Sequence, residues 1–356
     1  MRVIHVINSL ETGGAERYLI RLANELQALG YSQLIVSLKY EVPLEDQLHD
    51  RIRIIKPKND TIQSFLSMML DLSRELDSAE DHVVCWMYKS HLVGVLIKLF
   101  KNSIKQTWLV RHSNISFRVN KIKSIISVLL SGLFSFIIPR KIIFNSRAGI
   151  QSHRKIYCSS KITFRPNFIE FPEITTHYKY DPKLLIMVCR YDAHKNIPFA
   201  LQIFSHLKKV DKDYSLKLVG RGMDLQNNDL QKLISLHDLQ NDIELLGECS
   251  DPWGQLHQTG ILLSTSLGEG FPNSVAEGVV RGYPVVATNV GETKDIVNDF
   301  GSVLVGFELA EFLKAVQTVT KWTREEYWQK YTSTLATLYD RYDKNSVALS
   351  FLEDIS

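Results

Sequence analysis

Short, continuous apolar runs alternate along this chain with stretches in which apolar residues recur every three or four positions. Residues 2–8, 33–38, 83–87, 106–110 and 141–145 have the first character and predict strands, with helices between them. One such helix runs to about Leu29, with Leu19, Leu22, Ala23 and Leu26 on a common face. The alternation resumes at 184–189 and continues through strands at 215–219, 243–246, 260–266, 283–288 and 302–305. Helices are predicted over 197–210, 224–239 and 274–282, and an aromatic-rich tail (Trp322, Tyr327, Trp328, Tyr331, Tyr339) reads as further helices. Strands alternating with helices predict α/β units built on parallel sheets. At 356 residues the chain accommodates two of them. Residues 172–182 are irregular and polar, which suits a linker and sets the boundary near 175. The expected division is 1–174, 175–340 and a last helical segment, 341–356.

Composition is that of a soluble globular protein, 45% hydrophobic and 23% charged. The four cysteines are scattered without a CxxC pair, which favours free thiols in a reducing compartment. The chain enters its first strand without a signal-peptide pattern, and no apolar run reaches the roughly 18 residues of a spanning helix. A cytoplasmic location is expected. The net charge of +3 hides an asymmetry: residues 82–169 hold 15 Lys and Arg and no Asp or Glu. The remainder carries 27 basic residues against all 39 acidic ones. Such a one-sided field suits an anionic partner: nucleic acid, lipid headgroups or a phosphorylated small molecule. Within it, residues 124–138 are uncharged, with serines at 124, 127, 131 and 135 forming a thin polar stripe on a broad apolar helix. Arg118, Lys121, Lys123, Arg140 and Lys141 flank it, and Lys98, Lys101 and Lys105 stand nearby in sequence. Two readings stay open, a helix packed on its sheet and an interfacial helix in which 92–141 meets an anionic membrane.

The densest chemistry lies at 267–278, Leu-Gly-Glu-Gly-Phe-Pro-Asn-Ser-Val-Ala-Glu-Gly. It places Glu269 in the loop at a strand's C-terminal end and Glu277 one turn into the following helix. That edge is where open α/β sheets bind ligands. Backbone N–H groups from Phe271 to Val275 would offer an anion site. A carboxylate at each end of that cradle suits a ligand carrying hydroxyls beside phosphates, as a nucleotide sugar does. Arg190 and Lys195 flank the turn after another strand, and cations there match phosphate oxygens. Near the N-terminus, Thr12-Gly13-Gly14-Ala15-Glu16-Arg17 is neither a G-x-G-x-x-G fingerprint nor a P-loop.

These landmarks, in this order, resemble the retaining glycosyltransferases of family 4, which have the GT-B fold: two Rossmann-like, doubly wound parallel-sheet domains facing across a cleft. The resemblance runs from the first strand to about Val305 and rests on the Glu269–Glu277 spacing, Arg190–Lys195, the Gly13-Gly14 loop, His112, Asn145-Ser146 and Arg165-Pro166-Asn167. It implies that Arg190 and Lys195 grip the donor diphosphate. Glu277 would bind the ribose hydroxyls and Glu269 the donor sugar. Gly270, Phe271, Asn273 and Ser274 would line the donor site, with Gly13 and Gly14 close by, and His112 would face the sugar near the reacting centre. Three departures stand out: Asn196 where the family has Gly, Phe168 where it has Gly, and Lys89 where it has His, with His91 two positions on. The C-terminal end would cross back to the first domain.

The resemblance implies a metal-independent transfer of a hexose or N-acetylhexosamine from a UDP- or GDP-linked donor to a lipid-linked or oligosaccharide acceptor. That is a step in bacterial surface polysaccharide synthesis (O-antigen, capsule, exopolysaccharide or lipopolysaccharide) at the inner face of the plasma membrane. No cofactor, metal or nucleic acid is expected. Asp211-Lys212-Asp213 has the spacing of a metal-binding D-x-D motif but falls in a polar turn, and reads as surface. Two alternatives remain, a sugar-nucleotide epimerase of the same fold and a non-catalytic basic membrane-binding module.

Overall fold

The computed structural model describes residues 1–11, 13–112, 122–172 and 180–356. Thr12, Ser113, Asn114, Arg118, Lys121 and most of the linker therefore lie outside the described residues. The chain forms two compact units, Met1–Phe168 with Lys344–Ser356, and Ile169–Asp343.

The first unit contains β1 (Arg2–Ile7), α1 (Gly14–Ala28), β2 (Ser32–Ser37), β3 (Arg53–Ile55), α2 (Ile62–Glu75), β4 (Asp81–Trp86), α3 (Met87–Phe100), β5 (Lys105–Val110), α4 (Ile122–Ser135), β6 (Lys141–Phe144), α5 (Arg147–His153) and β7 (Ile162–Phe164). Its seven strands lie in the order β3-β2-β1-β4-β5-β6-β7, all parallel. Successive side chains alternate between the sheet's faces, and both faces are covered. Val3, Ile7, Val84 and Leu109 meet α1, whereas Ile4, Val83, Cys85 and Trp108 meet α2, α3 and α4.

The second unit contains β8 (Tyr180–Val188), α6 (Ile197–Val210), β9 (Ser215–Val219), α7 (Asn228–Leu236), β10 (Ile243–Gly247), β11 (Thr259–Ser264), α8 (Asn273–Val279), β12 (Val285–Thr288), α9 (Thr293–Val297), β13 (Gly301–Leu304), α10 (Leu309–Thr320) and α11 (Arg324–Tyr342). Its six parallel strands run β10-β9-β8-β11-β12-β13. Helices α6, α7 and α10 cover one face, and α8, α9 and α11 the other. Thr323 and Glu326 start α11 with reciprocal side-chain-to-backbone bonds, a capping box.

The last helix, α12 (Lys344–Ile355), belongs to the first unit, on the α1 face. Its buried Asp354 accepts hydrogen bonds from Lys141 Nζ at 2.8 Å and Arg165 Nε at 2.6 Å. Lys344 pairs with Glu25 at 2.8 Å. A buried carboxylate is tolerated only when so partnered. No helix among the described residues is long and apolar enough to cross a membrane.

Candidate functional site

In the second sheet the winding reverses between β8 and β11: the chain leaves β8 toward β9 and β10, then returns to place β11 on β8's other side. Ligands of open α/β sheets bind at the carboxyl ends of strands at such a reversal. The two loops leaving β8 and β11 at that edge carry the residues singled out from sequence. Lys195 ends a single helical turn after β8, and its Nζ donates to Glu269 Oε1 in the loop after β11. Ser266 Oγ donates to the same carboxylate oxygen at 2.8 Å. Burial pushes the Lys195 ammonium down, but the Glu269 charge more than offsets it and the net shift is upward. The pair thus stores a cation in a half-buried place, held by the carboxylate facing it. A pocket beside it is lined by Val188, Cys189, Lys195, Ser264, Ser266 and Ser274.

Backbone geometry holds these loops together. Asn196 has φ 49° and ψ 49°, a left-handed conformation that glycine takes freely and asparagine tolerates. The Asn found where the family has Gly therefore satisfies the same backbone requirement. Thr265 Oγ1 donates to the Lys195 carbonyl at 2.9 Å, and the Leu267 N–H donates to the His194 carbonyl at 2.7 Å. Gly220, after β9, sits so close to the β8 loop that a Cβ would lie 2.2 Å from the Cys189 carbonyl oxygen. Gly291, after β12, has φ +57° and would press a Cβ to 2.1 Å from the Gly270 carbonyl oxygen. The loops after four strands are thereby packed backbone against backbone.

Arg190, on the same loop as Lys195, is largely exposed and pairs weakly with Asp192 at 3.4 Å, leaving its fork free to reorient. Phe271 is buried, while Asn273 and Ser274 open α8 and are half-buried; Gly270 is buried at the close approach to Gly291. Glu277 lies on α8 and accepts a hydrogen bond from Trp253 Nε1 at 3.0 Å. Arg281 stands over the Trp253 ring and donates to the Glu277 carbonyl at 3.0 Å. Trp253 and Ser266 were not singled out from sequence. Trp253 lies 24 positions from its partner, and nothing local marks the pairing.

In the first unit the reversal lies between β1 and β4. Gly13 caps α1 with φ −123°, an ordinary extended conformation, and Gly14 is the exposed first residue of the helix. After β4, Met87 adopts φ 67°, a left-handed strain for a non-glycine residue. Its Sδ accepts the Arg111 N–H at 3.2 Å. Arg111 lies between the Tyr18 and Trp86 rings, 4.7 and 5.0 Å from their centroids, and donates to Asn167 Oδ1. Burial pushes its guanidinium down to about 10. The next residue is His112, half-buried just beyond the end of β5. His91 is in the core: it stacks on Trp108 at 4.6 Å and bonds the Leu109 carbonyl at 3.1 Å. Burial lowers it to about 3. Lys89 is exposed. Asp211 and Asp213 both pair with Lys183, at 2.9 and 2.8 Å, which commits the D-x-D spacing to a surface ion pair.

Comparison with known proteins follows the two-unit division. Residues 12–171 match the family described as Glycosyltransferase Family 4, and residues 172–330 the one described as Glycosyl transferases group 1. The chain is 25% identical over 304 residues, 80% of its length and 79% of the relative's, to the Campylobacter jejuni N-acetylgalactosamine-N,N'-diacetylbacillosaminyl-diphospho-undecaprenol 4-alpha-N-acetylgalactosaminyltransferase. Among solved structures, Anabaena HepE in complex with UDP and glucose superposes with a TM-score of 0.80 at 16% identity, covering 99% of this chain and 98% of that one. Staphylococcus aureus TarM superposes with a TM-score of 0.82 at 11% identity, covering 100% of both chains, in a complex containing UDP.

Proposed function

The chain belongs to glycosyltransferase family 4, with the GT-B fold, and we propose that it moves a hexose or N-acetylhexosamine from a UDP- or GDP-linked donor to a lipid-linked or oligosaccharide acceptor, with retention of configuration, in bacterial surface-glycan synthesis. The observation that carries this reading is the Lys195–Glu269 pair at the reversal of the second sheet, with Arg190 on the same loop. In this reading the second unit binds the donor. Glu277, fixed by Trp253, accepts hydrogen bonds from the ribose hydroxyls, and Glu269 faces the sugar. Arg190 and Lys195 meet the diphosphate. Two of the solved neighbours are complexes with UDP, and the Campylobacter relative is named for a diphospho-undecaprenol-linked sugar, which favours a donor and an acceptor of these classes.

The bond that breaks joins the anomeric carbon to the leaving diphosphate oxygen; the bond that forms joins that carbon to an acceptor hydroxyl oxygen. The hydroxyl proton passes to the departing phosphate oxygen on the same face, so no protein nucleophile is required. Charge grows on the diphosphate as it leaves, and fixed cations there lower the barrier without a metal ion. Lys195 is held charged by Glu269, and Arg190 can close a planar fork on phosphate oxygens. The first unit, with its basic stretch, would receive the acceptor, and His112 would face the donor sugar near the reacting centre. We place the reaction at the cytoplasmic side of the membrane that carries a lipid-linked acceptor.

A thermal-shift panel of UDP, GDP, ADP and CMP without added metal tests this. A ligand at about 100 times its Kd stabilises by about 2.7 kcal/mol. One nucleoside diphosphate should stabilise the wild type and lose that effect on Glu277→Ala. Arg190→Ala and Lys195→Ala should mainly slow turnover, because they meet charge that grows in the transition state. Equal stabilisation of wild type and Glu277→Ala by every nucleotide would remove the donor-site assignment.

A further inference from the structure

Helix α4 is mounted with the C-terminal half of its polar stripe turned inward. Ser131 and Ser135 are fully buried. Ser131 Oγ donates to the Tyr88 carbonyl at 3.1 Å, and Ser135 Oγ accepts the Cys158 N–H at 2.9 Å. From Ile126 onward the side chains that remain exposed are apolar, while Ser124 at the start of the helix is exposed. Leu133 is 64% exposed, Phe136 59% and Ile137 76%, and on the neighbouring α3 Leu99 is 76% and Phe100 55% exposed. Three such residues lie on α3 and six on α4 and the turn after it, nine of the 24 exposed large hydrophobics among the described residues. Singly scattered apolar residues are normal on a surface; a contiguous set marks an interaction face.

Cations gather along this face. Lys98 and Lys101 stand at the C-terminal end of α3, Lys105 opens β5, and Arg140 follows the turn after α4. The Arg140 N–H bonds the Gln106 carbonyl at 2.8 Å, beside Lys105. The charges of Lys105 and Arg140 both act on His82, and that of Arg140 on Lys98, so these cations lie within mutual electrostatic reach. No Asp or Glu occurs between residues 82 and 169.

We propose that the outer face of α3 and α4 docks on an anionic lipid bilayer, with its leucine and phenylalanine side chains entering the acyl boundary and the Lys98–Lys101–Lys105–Arg140 rim meeting headgroup phosphates. An amphipathic helix lying in the plane of the interface needs this combination of apolar face and cationic rim. The 14 residues of α4, about 21 Å long, suit an in-plane rather than a spanning position. A second copy of the chain is a poorer occupant, because a two-fold interface would set this cationic rim against its own image.

The full chain is floated with vesicles of phosphatidylcholine alone and of phosphatidylcholine mixed with phosphatidylglycerol, at low and high salt. The wild type should partition onto the anionic vesicles and lose binding as salt rises. Each neutralised cation should weaken partition by about five-fold, and Lys101→Ser with Lys105→Ser and Arg140→Ser together by on the order of 100-fold. Leu133→Ser with Phe136→Ser should weaken it similarly, and Leu236→Ser, an exposed leucine on the second unit, should leave it unchanged. Equal partition onto both vesicles, or loss of binding in none of the α3–α4 variants, overturns the proposal. So does a concentration-dependent dimer, seen by sedimentation, that Leu133→Ser abolishes while vesicle binding is absent. Nucleotide stabilisation measured on the same proteins reads the donor site independently, so failure of docking and failure of the transferase reading are distinguishable.

Discussion

Acidification is expected to unfold the first unit well before its carboxylates titrate. Four histidines are buried there: His5, His82, His91 and His153. Burial lowers them to about 4, 3, 3 and 4 respectively. Their hydrogen bonds suit neutral rings. His5 Nδ1 accepts from Trp86 Nε1 at 3.1 Å, leaving its Nε2 proton to Gln33 Oε1 at 2.9 Å. A second proton on Nδ1 would point at the indole N–H. His153 Nδ1 bonds the Gly149 carbonyl at 2.8 Å, and Nε2 faces the Tyr88 hydroxyl at 2.8 Å. Because the folded pKa values lie below the unfolded value of about 6.5, the unfolded chain binds the extra protons. Stability is therefore complete above about pH 6.5 and falls as pH drops toward 4. At pH 5.5 the loss is about 1.4 kcal/mol per histidine, or about 5–6 kcal/mol for four. That is comparable with the whole stability of an ordinary domain. Urea unfolding followed by tryptophan fluorescence, to which Trp86 and Trp108 of this unit contribute, from pH 7.5 to 5.5, measures it before carboxylates contribute. The slope should approach four protons near pH 5.5, and His91→Phe, which keeps a ring against Trp108, should reduce it by about one. A flat profile over that range, or an unchanged slope in His91→Phe, would refute the reasoning.

Glu269→Gln removes the main charge that opposes the effect of burial on Lys195. The alkaline limb of the pH–rate profile should move to lower pH, and kcat/KM should fall on the order of 100-fold or more. Trp253→Phe keeps the ring under Arg281 but deletes the N–H that fixes Glu277. Nucleotide affinity in a titration should weaken by about 0.5–1.5 kcal/mol, with the melting temperature little changed. Asn196→Val should cost about 1–2 kcal/mol in urea unfolding, whereas Asn196→Gly should cost far less, because only the first opposes the left-handed backbone. Gly291→Ala should lower both stability and turnover, since its new Cβ meets the Gly270 carbonyl in the loop that carries Glu269.

Much of this architecture is legible in the sequence because parallel strands buried on both faces are continuous apolar runs, and helices between them carry their own period. Helix α6 falls at 197–210, as its pattern predicts. The three-residue strands β3 and β7 have no such signature, because a segment that short holds less than two periods of alternation. The serine stripe of α4 is equally visible as a pattern, yet periodicity reports a contrast between faces and not which face points inward. Contacts with Tyr88 and Cys158 decide it, and those partners lie far from the helix in sequence.

The candidate site divides along the same line. Lys195 and Glu269 stand 74 positions apart, and their meeting depends on β8 and β11 being neighbours, which is a property of strand order. A sequence supplies the two residues and the turns around them; the resemblance supplies the reason to couple them. Trp253 had neither kind of support, so it went unremarked although its indole holds Glu277. Asn196 shows the converse. It stands as a departure from a family glycine, but the positive φ makes Asn and Gly near-equivalents there. The constraint acts on backbone conformation, and a residue-by-residue comparison sees it only through the side chains that the conformation permits.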